Sequence, residues 1–203
     1  MNNFNLLTEE EITARLRNQI PPTYDVPSSY VGEQCKKASV LIPFVRIEDS
    51  WEVLFIRRSE SEHDRHSGQV AFVGGKAEDF DPTPEATALR ETHEEIGIVP
   101  EHVRILGELS PHYSISQFQI TPFVGTLPWP YNLKLDSSEV SHTFTLPLNW
   151  LANENNYEIR YRQLSESQEP VPVVYFDQYN GELLWGATAR MTLALIKMLQ
   201  HSK

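Results

Sequence analysis

Ile12 and Leu16 stand four residues apart in an otherwise polar stretch, and that spacing predicts a helix over Thr8 to Gln19. Thr8 is its expected N-cap, with Glu11 three residues on completing a capping box. Pro21-Pro22 stops it, and residues 20 to 36, rich in Pro, Ser and Tyr, read as a connector. From Ala38 the pattern becomes strand-like. Ala38 to Ile47 is a mostly apolar run and Trp51 to Arg57 a second, separated by Glu48 to Ser50 as in a hairpin. Gln69 to Phe72 is a short strand running into Gly74-Gly75. Pro84 to Ile96 is a helix, with Pro84 suited to its first turn and Gly97 to its stop. Val103 to Leu109, Ile115 to Leu127, Val140 to Leu146 and Val171 to Phe176 are further strands. Ala187 to Leu199 is a helix with Met191, Leu195 and Met198 on one face. Strands mixed with helices in no regular alternation predict an α+β fold, an α/β/α sandwich around a mixed sheet. Trp129, Trp150 and Trp185 read as core or edge residues.

A chain of 203 residues has room for one full domain. The expected division is an N-terminal helix and connector over residues 1–35 and the main domain over 36–203. The formal charge of −11 argues against a sequence-independent nucleic-acid coat, yet leaves room for polyphosphate ligands bridged by divalent cations. The lone cysteine, Cys35, offers no intrachain disulfide, no apolar run reaches the length of a membrane span, and residues 1–7 lack a secretory pattern. The expected location is the cytoplasm, with neither membrane nor nucleic acid as partner.

The chemistry concentrates in Arg90-Glu91-Thr92-His93-Glu94-Glu95-Ile96-Gly97. On a helix, Glu91, Glu94 and Glu95 fall within an arc of about 100°, with Leu89 and Ile96 roughly opposite. One face should pack on the core while the other shows the carboxylates. Clustered carboxylates repel and raise one another's pKa, and hard divalent cations such as Mg²⁺ or Mn²⁺ remove that penalty. A solvated acidic helix face has the same composition. The context favours chemistry: Gly74-Gly75 ends a strand, an acidic loop with Glu78, Asp79 and Asp81 follows, and then the helix. His93 lies about 160° from the carboxylates and reads as a surface or core residue.

Gly75 to Ile98 resembles the Nudix box, the loop-helix-loop signature of enzymes that hydrolyse a nucleoside diphosphate linked to another group. Arg90, Glu91, Glu94, Glu95, Gly97 and Ile98 match its distal half. Thr92 replaces an apolar residue. The loop from Gly75 to Arg90 is one residue longer than the pattern, leaving Glu78 or Asp81 as counterpart of its first Glu. Leu54 to Gly75 resembles the additional signature of coenzyme A diphosphatases through Arg58, Ser59, Gly68, Phe72, Gly74 and Gly75. There Ile56 replaces Thr and Val73 replaces Pro. The Ser59–Gly68 spacing is one residue longer, so Arg65 fits only with a shift. Weaker likeness extends the match to about residues 36 to 199.

The resemblance implies a Nudix fold with a mixed central sheet and hydrolysis of the pyrophosphate bond of coenzyme A or a derivative, with Mg²⁺ or Mn²⁺ as cofactor. It implies Glu91, Glu94 and Glu95 as metal ligands, one of them a candidate base, and Arg90 as the residue that holds them by salt bridges. Gly75 is either a carbonyl ligand or a turn glycine. Glu139 is either a ligand or base, or an exposed loop residue. Arg58, Arg65, His66 and Lys76 are the candidate substrate contacts, since Arg forks fit phosphate oxygens. Arg57 and Arg58 cannot both face the site on a strand, and Arg58 matches the motif. Homodimers are common in related enzymes. The alternatives are a Nudix hydrolase for ADP-ribose, dinucleoside polyphosphates or another nucleotide, and a non-catalytic sensor, a type that usually loses the carboxylates this chain keeps.

Overall fold

A computed structural model describes residues 3–17, 31–32, 34–60, 66–163 and 170–200. Its first helix, α1 (Glu9–Leu16), has the expected capping box: the Glu11 amide donates to the Thr8 hydroxyl (3.2 Å) and the Thr8 amide to Glu11 Oε2 (2.9 Å). Residues 18–19 of the predicted helix, Pro21-Pro22 and most of the connector lie outside the described residues.

β1 (Lys36–Ile47) is the spine of the sheet. It pairs in parallel with β7 (Phe118–Thr126) along one edge. Its other edge is shared: Phe44 to Ile47 pair with β2 (Ser50–Arg58), and Ala38 to Leu41 pair with β4 (Val73–Lys76). β3 (Val70–Ala71) and β8 (Val140–Pro147) add to β2, while β5 (Arg104–Glu108) and β6 (His112–Tyr113) add to β7. Side chains alternate across the sheet. Ile42 and Phe44 enter a large cluster with Ile12 and Leu16 of α1 and with Leu195 and Leu199 of α4 (Gly186–Gln200). Leu41 and Val45 enter a second cluster with Ala88 and Ile96 of α2 (Pro84–Ile96). Apolar residues on both faces follow from helices on both faces, and this is the expected α+β sandwich with a mixed sheet.

α2 keeps its predicted bounds because its ends are specified locally. The Thr83 hydroxyl accepts from the Ala86 amide, Pro84 sits in the first turn, and Gly97 closes the helix at φ 74°. Thr92, where the motif has an apolar residue, is fully buried and donates its hydroxyl to Ala88 O (2.7 Å), so no polar group is stranded.

Two expectations need correction. The strand expected over Ile115 to Leu127 starts late: β7 begins at Phe118, and residues 115–117 belong to the turn from β6, in which Gln117 takes φ 61° and the Ser114 hydroxyl accepts from the Phe118 amide. An unforeseen strand, β9 (Tyr157–Arg162), pairs with β10 (Val171–Phe176) in a separate two-stranded ribbon. Its outward positions Glu158, Arg160 and Arg162 are exposed and charged, which hides the strand from a hydrophobic scan. Between β8 and β9 lies the short α3 (Leu148–Leu151). Trp150 packs on Phe176 and Tyr179, and Trp185 stacks on Tyr175 (5.5 Å). Among the described residues no helix is long and apolar enough to cross a membrane.

Candidate active site

The site is built where β4 meets α2. Gly74 takes φ 146°, and a Cβ there would lie 2.3 Å from Ser39 O of β1. A Cβ on Gly75 would lie 2.4 Å from the Glu91 carboxyl carbon. Both glycines thus permit close approach, the first of strand to strand and the second of a carboxylate to the backbone.

Glu95 departs from the sequence expectation. It points into the protein, 2% exposed, where it was expected on the open helix face. The Gly74 amide donates to its Oε2 (2.9 Å), and Arg58 Nη1 lies 3.9 Å from Oε1. Burial pushes its pKa up to about 8, against the opposing effects of the Gly74 amide and Arg58; the charges of Glu139 and Glu91 push the same way as burial. Leu89, expected on the core face, is half-buried, and the buried face runs through Thr87, Ala88, Thr92, Glu95 and Ile96. Glu91 is also raised, first by burial, then by Glu94 and Glu139, with Arg90 opposing. Glu94 stays exposed, as does His93.

Arg90 ties these acids together. Its Nε and Nη2 fork Asp81 (both 2.9 Å), its Nη1 donates to Glu91 Oε1 (2.9 Å) and Glu94 Oε2 (2.8 Å), and Nη2 also reaches Lys76 O (3.2 Å). Asp81 further accepts from the Glu78 amide and the Thr87 hydroxyl (both 3.0 Å). The Arg90 guanidinium holds its carboxyl well below the usual range. Of the two loop acids left open by the sequence, Asp81 is therefore the one joined to the helix. Glu78 instead faces Lys76 Nζ at 3.7 Å.

Arg57 and Arg58 diverge as strand alternation requires, helped by a register shift between them. Arg58 meets Glu95, while Arg57 pairs with Glu182 (3.3 Å), which also binds His142 Nε2 (2.8 Å). Glu139 is exposed at the start of β8, near enough to Glu91 and Glu95 to raise both. The fold thus brings together Gly75, Arg90, Glu91, Glu94, Glu95, Arg58 and Glu139. Lys76 joins through its carbonyl, with its amine on Glu78. His66 is exposed beside Gln69 (3.3 Å), and Arg65 lies outside the described residues. Sequence reasoning missed Asp136, whose Asp-Ser-Ser turn was the available signal, and the part played by Ser59.

Among the described residues, no three His, Cys, Asp or Glu side chains already converge on one point that could hold an ion. The donor chemistry nevertheless fits a hard divalent cation. The groups are all oxygen, and Glu91 and Glu95 are carboxylates whose ionisation is opposed by burial and by neighbouring carboxylates, a cost that a cation relieves.

Residues 36–167 match the NUDIX domain. An uncharacterized Nudix hydrolase NudL of Photorhabdus laumondii is 33% identical over 195 residues, covering 96% of this chain and 100% of its own. A second NudL, from Pectobacterium atrosepticum, is 36% identical over 180 residues, 88% of each chain. Among solved structures, a MutT/nudix family protein from Enterococcus faecalis is 15% identical, with a TM-score of 0.48, over 96% of this chain and 70% of that one. The chain belongs to the Nudix hydrolases, metal-dependent enzymes that act on nucleoside diphosphate derivatives.

Proposed function

We propose that the substrate is coenzyme A or a derivative, and that water cleaves its pyrophosphate bond to give 3',5'-ADP and 4'-phosphopantetheine. The observation that carries the reading is the meeting of Arg58, from the stretch resembling the coenzyme A signature, with Glu95, whose other oxygen accepts from the Gly74 amide. Glu91, Glu94, Glu95 and the Gly75 carbonyl would hold Mg²⁺ or Mn²⁺. When bound, the cation supplies neutralisation of the diphosphate and a water of lowered pKa. Glu139 is the proposed acceptor of the proton from that water. Arg90 keeps Glu91 and Glu94 in place from its anchor on Asp81. Arg58, Arg65, His66 and Lys76 are the proposed contacts to the substrate's phosphates.

The test is hydrolysis by purified protein with Mg²⁺ or Mn²⁺, comparing coenzyme A, acetyl-coenzyme A, ADP-ribose, NADH and diadenosine polyphosphates, with Glu94→Gln as control. Preference for coenzyme A, lost in the control, supports the proposal. Preference for ADP-ribose or a dinucleoside polyphosphate replaces it with the second reading.

A further inference from the structure

The Glu139 side chain is exposed and, among the described residues, accepts no hydrogen bond, yet the turn that carries it is bonded to the backbone of Glu95, and its charge opposes ionisation of Glu91 and Glu95. Left to itself, such a side chain would swing away into water. What holds it is the backbone beneath it. The Asp136 amide donates to Glu95 O (2.9 Å), and the Lys134 amide to Ile96 O (3.0 Å), hooking the loop onto the last carbonyls of α2. The Asp136 carboxylate accepts from the Ser138 amide (2.9 Å) and hydroxyl (2.6 Å), and its carbonyl accepts from the Glu139 (3.0 Å) and Val140 (2.8 Å) amides. From the other side, the last turn of chain after β2 closes the loop. The Ser59 amide donates to Glu139 O (2.8 Å) and the Ser59 hydroxyl to Ser137 O (2.9 Å).

We propose that Asp136 and Ser59 are positioning residues that clamp the 136–139 turn between α2 and β2 and thereby hold the Glu139 carboxylate over Glu91 and Glu95. This deepens the function proposed above and rests on it for the role of Glu139. It also gives Ser59 a task other than reading substrate. The clamp ties the turn to the backbone of Glu95 itself, so the acid on the loop and the acid on the helix keep one fixed separation. Five hydrogen bonds around one aspartate, closed by two from one serine, are what a short exposed turn needs to resist like-charge repulsion.

The experiment compares Asp136→Ala and Ser59→Ala with the conservative Asp136→Asn and Ser59→Thr, each alone and combined with Glu139→Gln. A group misplaced by about 1 Å loses up to about 100-fold in rate. The alanine variants should therefore lower kcat by about 10- to 100-fold, with KM within about twofold. Asp136→Asn and Ser59→Thr should recover most of the loss. In the Glu139→Gln background the alanine variants should add nothing, since there is no longer a carboxylate to place. Independently of turnover, amide hydrogen exchange at Glu139 and Val140 should quicken in Asp136→Ala and return toward native in Asp136→Asn. Losses that multiply with Glu139→Gln, losses carried in KM, or exchange unchanged in Asp136→Ala would each overturn the proposal. If the native protein hydrolyses none of the nucleotides, the proposed function fails, and the exchange result alone decides the clamp.

Discussion

Gly74 and Gly75 are neighbours on β4, yet an added methyl group meets different things at each. At Gly74 it would lie 2.3 Å from Ser39 O and 2.6 Å from Val40 Cα, both backbone atoms of the sheet's spine, at φ 146°. Neither atom can move without opening the β1–β4 ladder. Backbone strain at such a φ costs about 1–3 kcal/mol and overpacking a similar amount, so Gly74→Ala should destabilise the fold by about 3–5 kcal/mol. In a chain of this size that lowers Tm by about 10 °C or more. At Gly75 the methyl would meet only the Glu91 carboxylate, 2.4–2.6 Å away. That side chain can swing aside, by about 1 Å to reach ordinary contact, so Gly75→Ala should keep most of its stability. Its loss should fall on the metal: a displaced ligand weakens Mn²⁺ binding by about 10- to 100-fold, or about 1.4–2.7 kcal/mol. Thermal unfolding without metal, paired with calorimetric Mn²⁺ titration, separates the two effects. Native Mn²⁺ affinity in Gly75→Ala would refute the placement of Glu91 in the ligand set, and native stability in Gly74→Ala would refute the packing argument.

Three further outcomes follow from the charge arrangement. The Glu95 carboxyl ionises near 4.5 when unfolded but near 8 when buried, so its contribution to stability is full below about pH 4.5 and is lost as pH rises through about 8. Metal-free protein should lose Tm across that window, and Glu95→Gln should flatten the trend. His112 titrates in the opposite sense: burial, then the Arg190 charge, push its pKa down to about 3, so its contribution is present above about pH 6.5 and is lost as pH falls through 3. His112→Gln should make stability less sensitive to acid over that range, and an unchanged pH profile would count against the buried neutral imidazole. Arg90→Lys keeps the charge but cannot fork Asp81 while also reaching Glu91 and Glu94; a loss of kcat of about tenfold or more is expected, and near-native kcat would show that the fork is dispensable.

Much of this was legible in the sequence where the signal was local. α2 begins and ends as predicted because Pro84 and Gly97 act on their own backbone. The divergence of Arg57 and Arg58 follows from strand alternation. The burial of Glu95 was not legible. A helical wheel groups the acids correctly but knows nothing of β4, where two successive glycines present bare backbone, and the Gly74 amide draws one carboxylate inward. The partnership of Asp81 with Arg90 was half legible: the loop offered two acids, and only the fold shows which one the guanidinium reaches. Asp136 carried a local turn signal in its Asp-Ser-Ser run, but its hold on Glu95 is made across the fold and not along the chain.

The shared edge of β1 bears on how this protein can vary. β2 leaves that edge at Phe44, β4 takes it up at Leu41, and the chain between them returns through β3, itself paired with β2 at Ile56 and Arg57. The stretch from Gly75 to Arg90, one residue longer than the Nudix pattern, includes the whole 77–83 connection from β4 to α2. Doubling the length of a loop adds only about 0.6 kcal/mol of closure entropy. Added length in that connection is thus cheap, and the ladders that fix the two glycines and Arg58 keep their register. The scaffold separates what must stay constant from what can be lengthened: in the 77–83 connection Asp81 and Thr83 are fixed by their bonds to Arg90 and Ala86, and added length between such anchors disturbs the site least.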